Sequence, residues 1–156
     1  MVDAQSGHEK TITSMLPALA GANVIYGLGM LEMGITFDLA QLVLDHEIAG
    51  MVLHSLDGIV VNDETLSVDV IRELGIGKDY MSHESTYKHM KAQSQAQIID
   101  RRMREDWEAV GSTDAYKRAH VRVIEILETY EPAPLPANGL NTIRSIVEEA
   151  EKELVR

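Results

Sequence analysis

Gly21-Ala22-Asn23-Val24-Ile25-Tyr26-Gly27-Leu28-Gly29 is a short apolar run fenced by glycines, with β-branched and aromatic residues at its centre. That composition reads as a buried strand over Ala22 to Tyr26. A lone strand leaves its own N–H and C=O groups unpaired, so it requires neighbours. Val2 to Ala4 and Tyr80 to Ser82 are the remaining strand candidates. The expected class is therefore α/β, predominantly helical, with two or three short parallel strands.

The flanking sequence is helical. Upstream, Ile12, Met15, Leu16 and Leu19 give a helix over Gly7 to Ala20, with Pro17 set against its last turn. Downstream, Thr36 or Asp38 can cap a long helix carrying Leu39, Leu42, Val43, His46, Ile48, Met51, Val52 and Leu56, with Gly58 as its stop. Asn62 or Asp63 caps a shorter helix ending at Gly75. A polar helical stretch is expected from about His83 to Gly111, through Tyr87, Met90, Ile98, Ile99, Met103 and Trp107. Ser112, Thr113 or Asp114 caps the next helix, striped by Tyr116, Ala119, Val123, Ile126 and Leu127. Residues 131–136 (Glu-Pro-Ala-Pro-Leu-Pro) form a stiff extended linker. Asn141 or Thr142 opens a final helix whose stripe of Ile143, Ile146, Val147, Ala150 and Leu154 is expected to pack back on the domain.

Composition narrows the function. The formal net charge is -11, which argues against nucleic acid, since phosphate binding draws on clustered Lys and Arg. Lys10 is the only Lys or Arg before Arg72, whereas acids from Asp3 to Asp69 crowd that stretch. Such a field solubilises the surface or attracts cations. No cysteine occurs, which excludes disulfides and thiolate chemistry and agrees with a cytoplasmic location. The apolar runs are too short to cross a bilayer, and the start lacks the layout of a signal peptide. His46 and His54 are eight apart, too far for one-turn metal pairing, and His83 and His89 are six apart, so no metal is expected. Gly27-x-Gly29 finds its third glycine at Gly34, off the spacing of a dinucleotide fingerprint, and reads better as a tight backbone turn.

Asp3-Ala4-Gln5-Ser6-Gly7-His8-Glu9-Lys10 is similar to the Asp-x-Gln-x-Gly-x-Glu-Lys run of the trimethylamine methyltransferase family. The resemblance continues in order through residues 18–34, Phe37-Asp38, Gln41-Leu42-Val43-Leu44-Asp45, Asn62-Asp63-Glu64-Thr65-Leu66, Asp69-Val70-Ile71, Asp100-Arg101-Arg102, Trp107-Glu108-Ala109 and the linker at 131–136. It implies the C-terminal part of a TIM (β/α)8 barrel, with residues 1–92 as its last βα units and 93–156 as a helical extension. Met1 would then lie inside a barrel, and a missing N-terminal barrel portion or a homo-oligomer is expected. Members of the family are several times longer, and some carry pyrrolysine upstream of the region matched. Two departures stand out: Ser85 replaces the usual His before Thr86, and Gln93-Ser94-Gln95-Ala96-Gln97 replaces aromatic residues.

The resemblance further implies methyl transfer from a small methylated amine, such as trimethylamine, glycine betaine or a related quaternary amine, to the cobalt of a corrinoid protein. Cobalt(I) is itself a strong nucleophile, so the chain's task is placement of the donor. Cationic amines are held by aromatic faces and carboxylates, and in such barrels those groups sit at the C-terminal ends of strands. Tyr26 stands at that end of the expected strand, as either a pocket wall or a core tyrosine. Glu32, between Leu31 and Met33, is the candidate catalytic carboxylate. Gln5 and Asp3 are candidates for substrate contact or for capping the first helix. A different class of function is also open: a truncated, non-catalytic relative that serves as a structural or interaction module.

Overall fold

The computed structural model describes residues 2–154; Met1, named above as lying inside a barrel, is outside the described residues. The chain divides into two compact units, residues 1–125 and 126–156.

The first unit opens with α1 (Ala4–Leu19). Asp3 caps it: its Oδ1 accepts from the backbone N–H groups of Gln5 at 3.0 Å and Ser6 at 3.1 Å. The Ser6 hydroxyl in turn accepts from the N–H of Asp3 at 3.2 Å, closing a capping box. This cap starts the helix three residues before the expected Gly7. Pro17 does not end it, because the chain finishes instead in a Schellman turn: Gly21, at φ +86°, donates to Ala18 O and Ala22 donates to Pro17 O, each at 3.0 Å.

The expected parallel strands are not what forms. Val24 to Gly27 has no regular secondary structure, Ala4 belongs to α1, and Tyr80 to Ser82 lies in turn and coil. The sheet is a two-stranded antiparallel pair, β1 (Met30–Leu31) with β2 (Thr36–Phe37), in the register Met30 to Phe37 and Leu31 to Thr36. A 3-10 turn over Glu32–Gly34 closes it, with Glu32, Met33 and Gly34 all at positive φ. The physical reason is loop closure. A hairpin finds its partner a few residues away, whereas a parallel strand needs a distant neighbour to complete its ladder. Among the described residues none pairs with Ala22 to Tyr26.

Asp38 caps α2 (Leu39–Leu56), its Oδ1 accepting from the N–H of Gln41 at 2.7 Å. α1 packs on α2. Asn62 and Thr65 form a second capping box, but the expected single helix breaks at Ser67 (φ +53°) into α3 (Asp63–Leu66) and α4 (Val68–Leu74). The expected helix from His83 to Gly111 is also interrupted, into α5 (Glu84–His89) and α6 (Arg104–Ala109). Between them the backbone N–H groups of Gln97, Ile98 and Ile99 donate to the Glu47 carboxylate of α2 at 2.5–2.9 Å. Those donors are satisfied without helical carbonyls.

α7 (Ala115–Thr129) follows, with the Asp114 carboxylate accepting from the N–H of Lys117 at 2.7 Å. Its Ala119 joins Ala40 and Leu44 in the core, flanked by Val2, Val43, Ile98 and Ala115. The second unit holds the end of α7, the linker and α8 (Gly139–Leu154). Within this unit α8 buries none of its apolar stripe. Among the described residues no helix is long and apolar enough to cross a membrane.

Candidate functional site

The crossing of α1 and α2 holds a buried polar cluster beneath the Gly27–Gly29 turn. Lys10 of α1 reaches Asp45 of α2, Nζ to Oδ2 at 2.9 Å, with the Asp45 side chain only 4% exposed. The same ammonium donates to Gly27 O at 2.8 Å. The same carboxylate oxygen accepts from the N–H of Gly29 at 2.8 Å, and its other oxygen accepts from Gln41 Nε2 at 2.5 Å. A buried charge is tolerable only when it is paired and its lone pairs are used, and Asp45 meets both conditions. Gln41 Oε1 is the one atom of the cluster that is buried without a partner.

Gly29 is held on both sides. Its N–H goes to Asp45 and its carbonyl accepts from the N–H of Asp38 at 2.9 Å. At φ +77°, a Cβ here would lie 2.7 Å from Phe37 Cε2, so no other residue fits without displacement. The turn thus runs close against the hairpin and the start of α2. Tyr116 of α7 adds a further tie, its hydroxyl donating to Asp38 Oδ2 at 3.0 Å. That hydrogen bond to a carboxylate, with the negative charge behind it, pushes the Tyr116 phenol above its ordinary pKa.

Over this cluster opens a cavity of about 120 Å³, lined among others by Lys10, Ser14, Tyr26, Asp45 and Ile48. Tyr26 borders this cavity and is 85% exposed, so it is not a core tyrosine. The other expected site residues lie elsewhere. Glu32 sits in the hairpin turn at φ +51°, exposed, its Oε2 accepting from the Thr36 hydroxyl at 2.7 Å. Asp3 is engaged in capping α1, and Gln5 Nε2 donates to Glu9 Oε1 at 2.9 Å. None of Glu32, Asp3 and Gln5 lines the Tyr26 cavity.

Two further concavities lie apart from Tyr26. One of about 520 Å³ is bordered by His46, Glu47, His54, Lys91 and residues 93–97. Another of about 420 Å³ gathers Glu64, His83, Lys88 and His89. In the latter the Lys88 ammonium donates to Glu64, which draws the carboxyl below its ordinary pKa and the ammonium above its own. His83 caps α5, its Nδ1 accepting from the N–H of Ser85 at 3.1 Å. Sequence reasoning overlooked the Lys10–Asp45 pair, although two signals pointed to it. Lys10 is the sole cation in an acidic stretch, and Asp45 directly follows the apolar run Leu42-Val43-Leu44, one turn beyond Gln41.

Residues 1–155 match the family model described as trimethylamine methyltransferase (MTTB). The chain belongs to the trimethylamine methyltransferase family. Among its relatives, the trimethylamine methyltransferase MttB of Desulfitobacterium hafniense is 54% identical over 151 residues, covering 97% of this chain and 30% of that protein. MttB1 of Methanosarcina mazei is 44% identical over 150 residues, covering 96% of this chain and 30% of that protein. A glycine betaine methyltransferase of Desulfitobacterium hafniense is 29% identical over 154 residues, 98% of this chain and 32% of its own length. The chain therefore spans about 30% of the length of the first two relatives. The Lys10–Asp45 cluster and Tyr26 fall within the part of the family that these residues represent.

Proposed function

We propose that these residues belong to a methyltransferase that moves a methyl group from a small methylated amine to the cobalt of a separate corrinoid protein. The observation that carries this reading is the family match over residues 1–155 together with 54% identity to a trimethylamine methyltransferase. Trimethylamine is the first-choice donor; glycine betaine and other quaternary amines share its cationic head. In the fuller protein, residues 1–92 form late units of a TIM barrel, residues 93–156 form a helical extension, and the neighbours that Ala22 to Tyr26 lacks come from other barrel strands. A cytoplasmic setting fits the absence of cysteine.

The corrinoid is a co-substrate, and its cobalt supplies the electron pair that accepts the methyl group. This chain's residues bind and orient the donor. The exposed Tyr26 ring offers its face to the positively charged head of the amine. Glu32, in the hairpin turn apart from the Tyr26 cavity, supplies negative charge, and Gln5 with the capping residue Asp3 adds polar contacts at the start of α1, once the fuller protein brings these groups around the donor. As the methyl group leaves, the electrons of the broken C–N bond stay on nitrogen and the cationic charge is discharged. A carboxylate placed near that nitrogen therefore holds the donor in the form that can react.

The test is product analysis with the complete protein, its reduced corrinoid partner and either trimethylamine or glycine betaine. Dimethylamine or dimethylglycine, formed in step with corrinoid methylation, identifies the donor. Failure of both amines removes the reading. The second reading, a truncated non-catalytic module, draws support from the many exposed apolar side chains, such as Met33, Ile35, Ile59 and Ile76. An upstream reading frame that encodes earlier barrel strands decides against it.

A further inference from the structure

We propose that Lys10 and Asp45 are positioning residues for the methylamine site, acting through the Gly27–Gly29 turn; this rests on the function proposed above. The hydrogen bonds that the two side chains make outside the pair go to that turn and to Gln41. Lys10 Nζ holds Gly27 O at 2.8 Å and Asp45 Oδ2 holds the N–H of Gly29 at 2.8 Å. Gly27 follows Tyr26 directly, and its carbonyl also accepts from the N–H of Met30 at 3.1 Å, the first residue of the hairpin that carries Glu32. The pair thus fixes the stem from which Tyr26 and Glu32 both project.

Stability alone does not account for such a pair. Two charges at a helix crossing lose most of their hydration, and apolar residues of similar size commonly replace a buried pair without loss of stability. What apolar residues cannot do is donate to Gly27 O and accept from the N–H of Gly29 at once. The polarity of the two ends is also fixed. A cation is needed on α1 to meet a carbonyl, and an anion on α2 to meet an N–H. Exchanging the two residues keeps the ion pair but sets an ammonium against an N–H and a carboxylate against a carbonyl.

The experiment compares, in the complete protein with its corrinoid partner, the wild type, Asp45→Asn, the apolar double Lys10→Met with Asp45→Leu, and the exchanged double Lys10→Asp with Asp45→Lys. Melting temperature, kcat and KM for trimethylamine, and amide hydrogen exchange over residues 24–37 are measured on each. The apolar double is expected to melt close to the wild type and yet lose kcat/KM on the order of 100-fold, since small misplacement of a donor costs about that much. All three variants are expected to exchange about tenfold faster over residues 27–31, while α7 is unchanged. Either double variant restoring kcat/KM to within about threefold of wild type overturns the proposal, because pairing or packing would then suffice. Should the wild type transfer no methyl group from any amine, the functional reading fails separately. Exchange then still decides whether the pair holds the turn: unchanged protection in the variants sinks that claim, and faster exchange sustains it.

Discussion

Tyr26 carries the most direct consequence at the scale of single residues. The residue is 85% exposed and borders a cavity lined by the Lys10–Asp45 ion pair, so its truncation removes an aromatic face without opening a core cavity. Tyr26→Ala in the complete protein is expected to weaken trimethylamine binding by about 1–2 kcal/mol with little change in melting temperature, as read by calorimetric titration. Unchanged affinity removes Tyr26 from the site. Glu32→Gln keeps size and hydrogen-bonding capacity toward Thr36 while deleting the charge. The methyl-transfer rate is expected to fall about tenfold or more with folding preserved, and a wild-type rate would strip Glu32 of its role. Asp3 was legible in the sequence as a cap because a cap is local; the side chain and the amides it meets lie within three residues. Lys10 and Asp45 were not, since 35 positions separate them and only the crossing of two helices brings them together.

At the scale of elements, the hairpin and its preceding turn depend on Gly29. A side chain there meets Phe37 at 2.7 Å and must also adopt φ +77°. Gly29→Ala is therefore expected to cost the complete protein about 2 kcal/mol, measured by denaturant unfolding. A loss below about 0.5 kcal/mol would show that the turn relaxes freely and is not pinned between Asp45 and Asp38. The helices bounded by Asp38 and Asn62 were readable because capping chemistry is written within one turn. The strand expected at Ala22 to Tyr26 was not, because an apolar run states that a segment wants burial without naming the partner that completes its ladder. The interruption between α5 and α6 has the same origin. Its decisive contact is the Glu47 carboxylate, about 50 positions upstream of the three amides it binds.

On the scale of the whole molecule, the balance of buried and exposed surface matters most. The buried apolar residues among those described are Ala18, Ala40, Leu44, Val52, Ala119 and Val123, half of them alanines. Met33, Ile35, Ile59 and Ile76 are almost wholly exposed by comparison. So little core against so much open apolar surface favours association. The 156 residues expressed alone are expected to form oligomers and to transfer no methyl group, and light scattering after size-exclusion chromatography checks the first half. A compact monomer would show that these side chains need no cover. Family membership was legible from ordered motifs such as residues 3–10 and 41–45, because colinear identity survives where individual contacts cannot be read.

Absorbance of the reduced corrinoid partner, mixed with the complete protein and trimethylamine, tests the proposed chemistry most directly. The predicted result is a trimethylamine-dependent spectral change that is matched by dimethylamine formation, is slowed by Glu32→Gln, and is absent with the 156 residues alone. A folded complete protein that leaves the corrinoid spectrum unchanged with both trimethylamine and glycine betaine would contradict it.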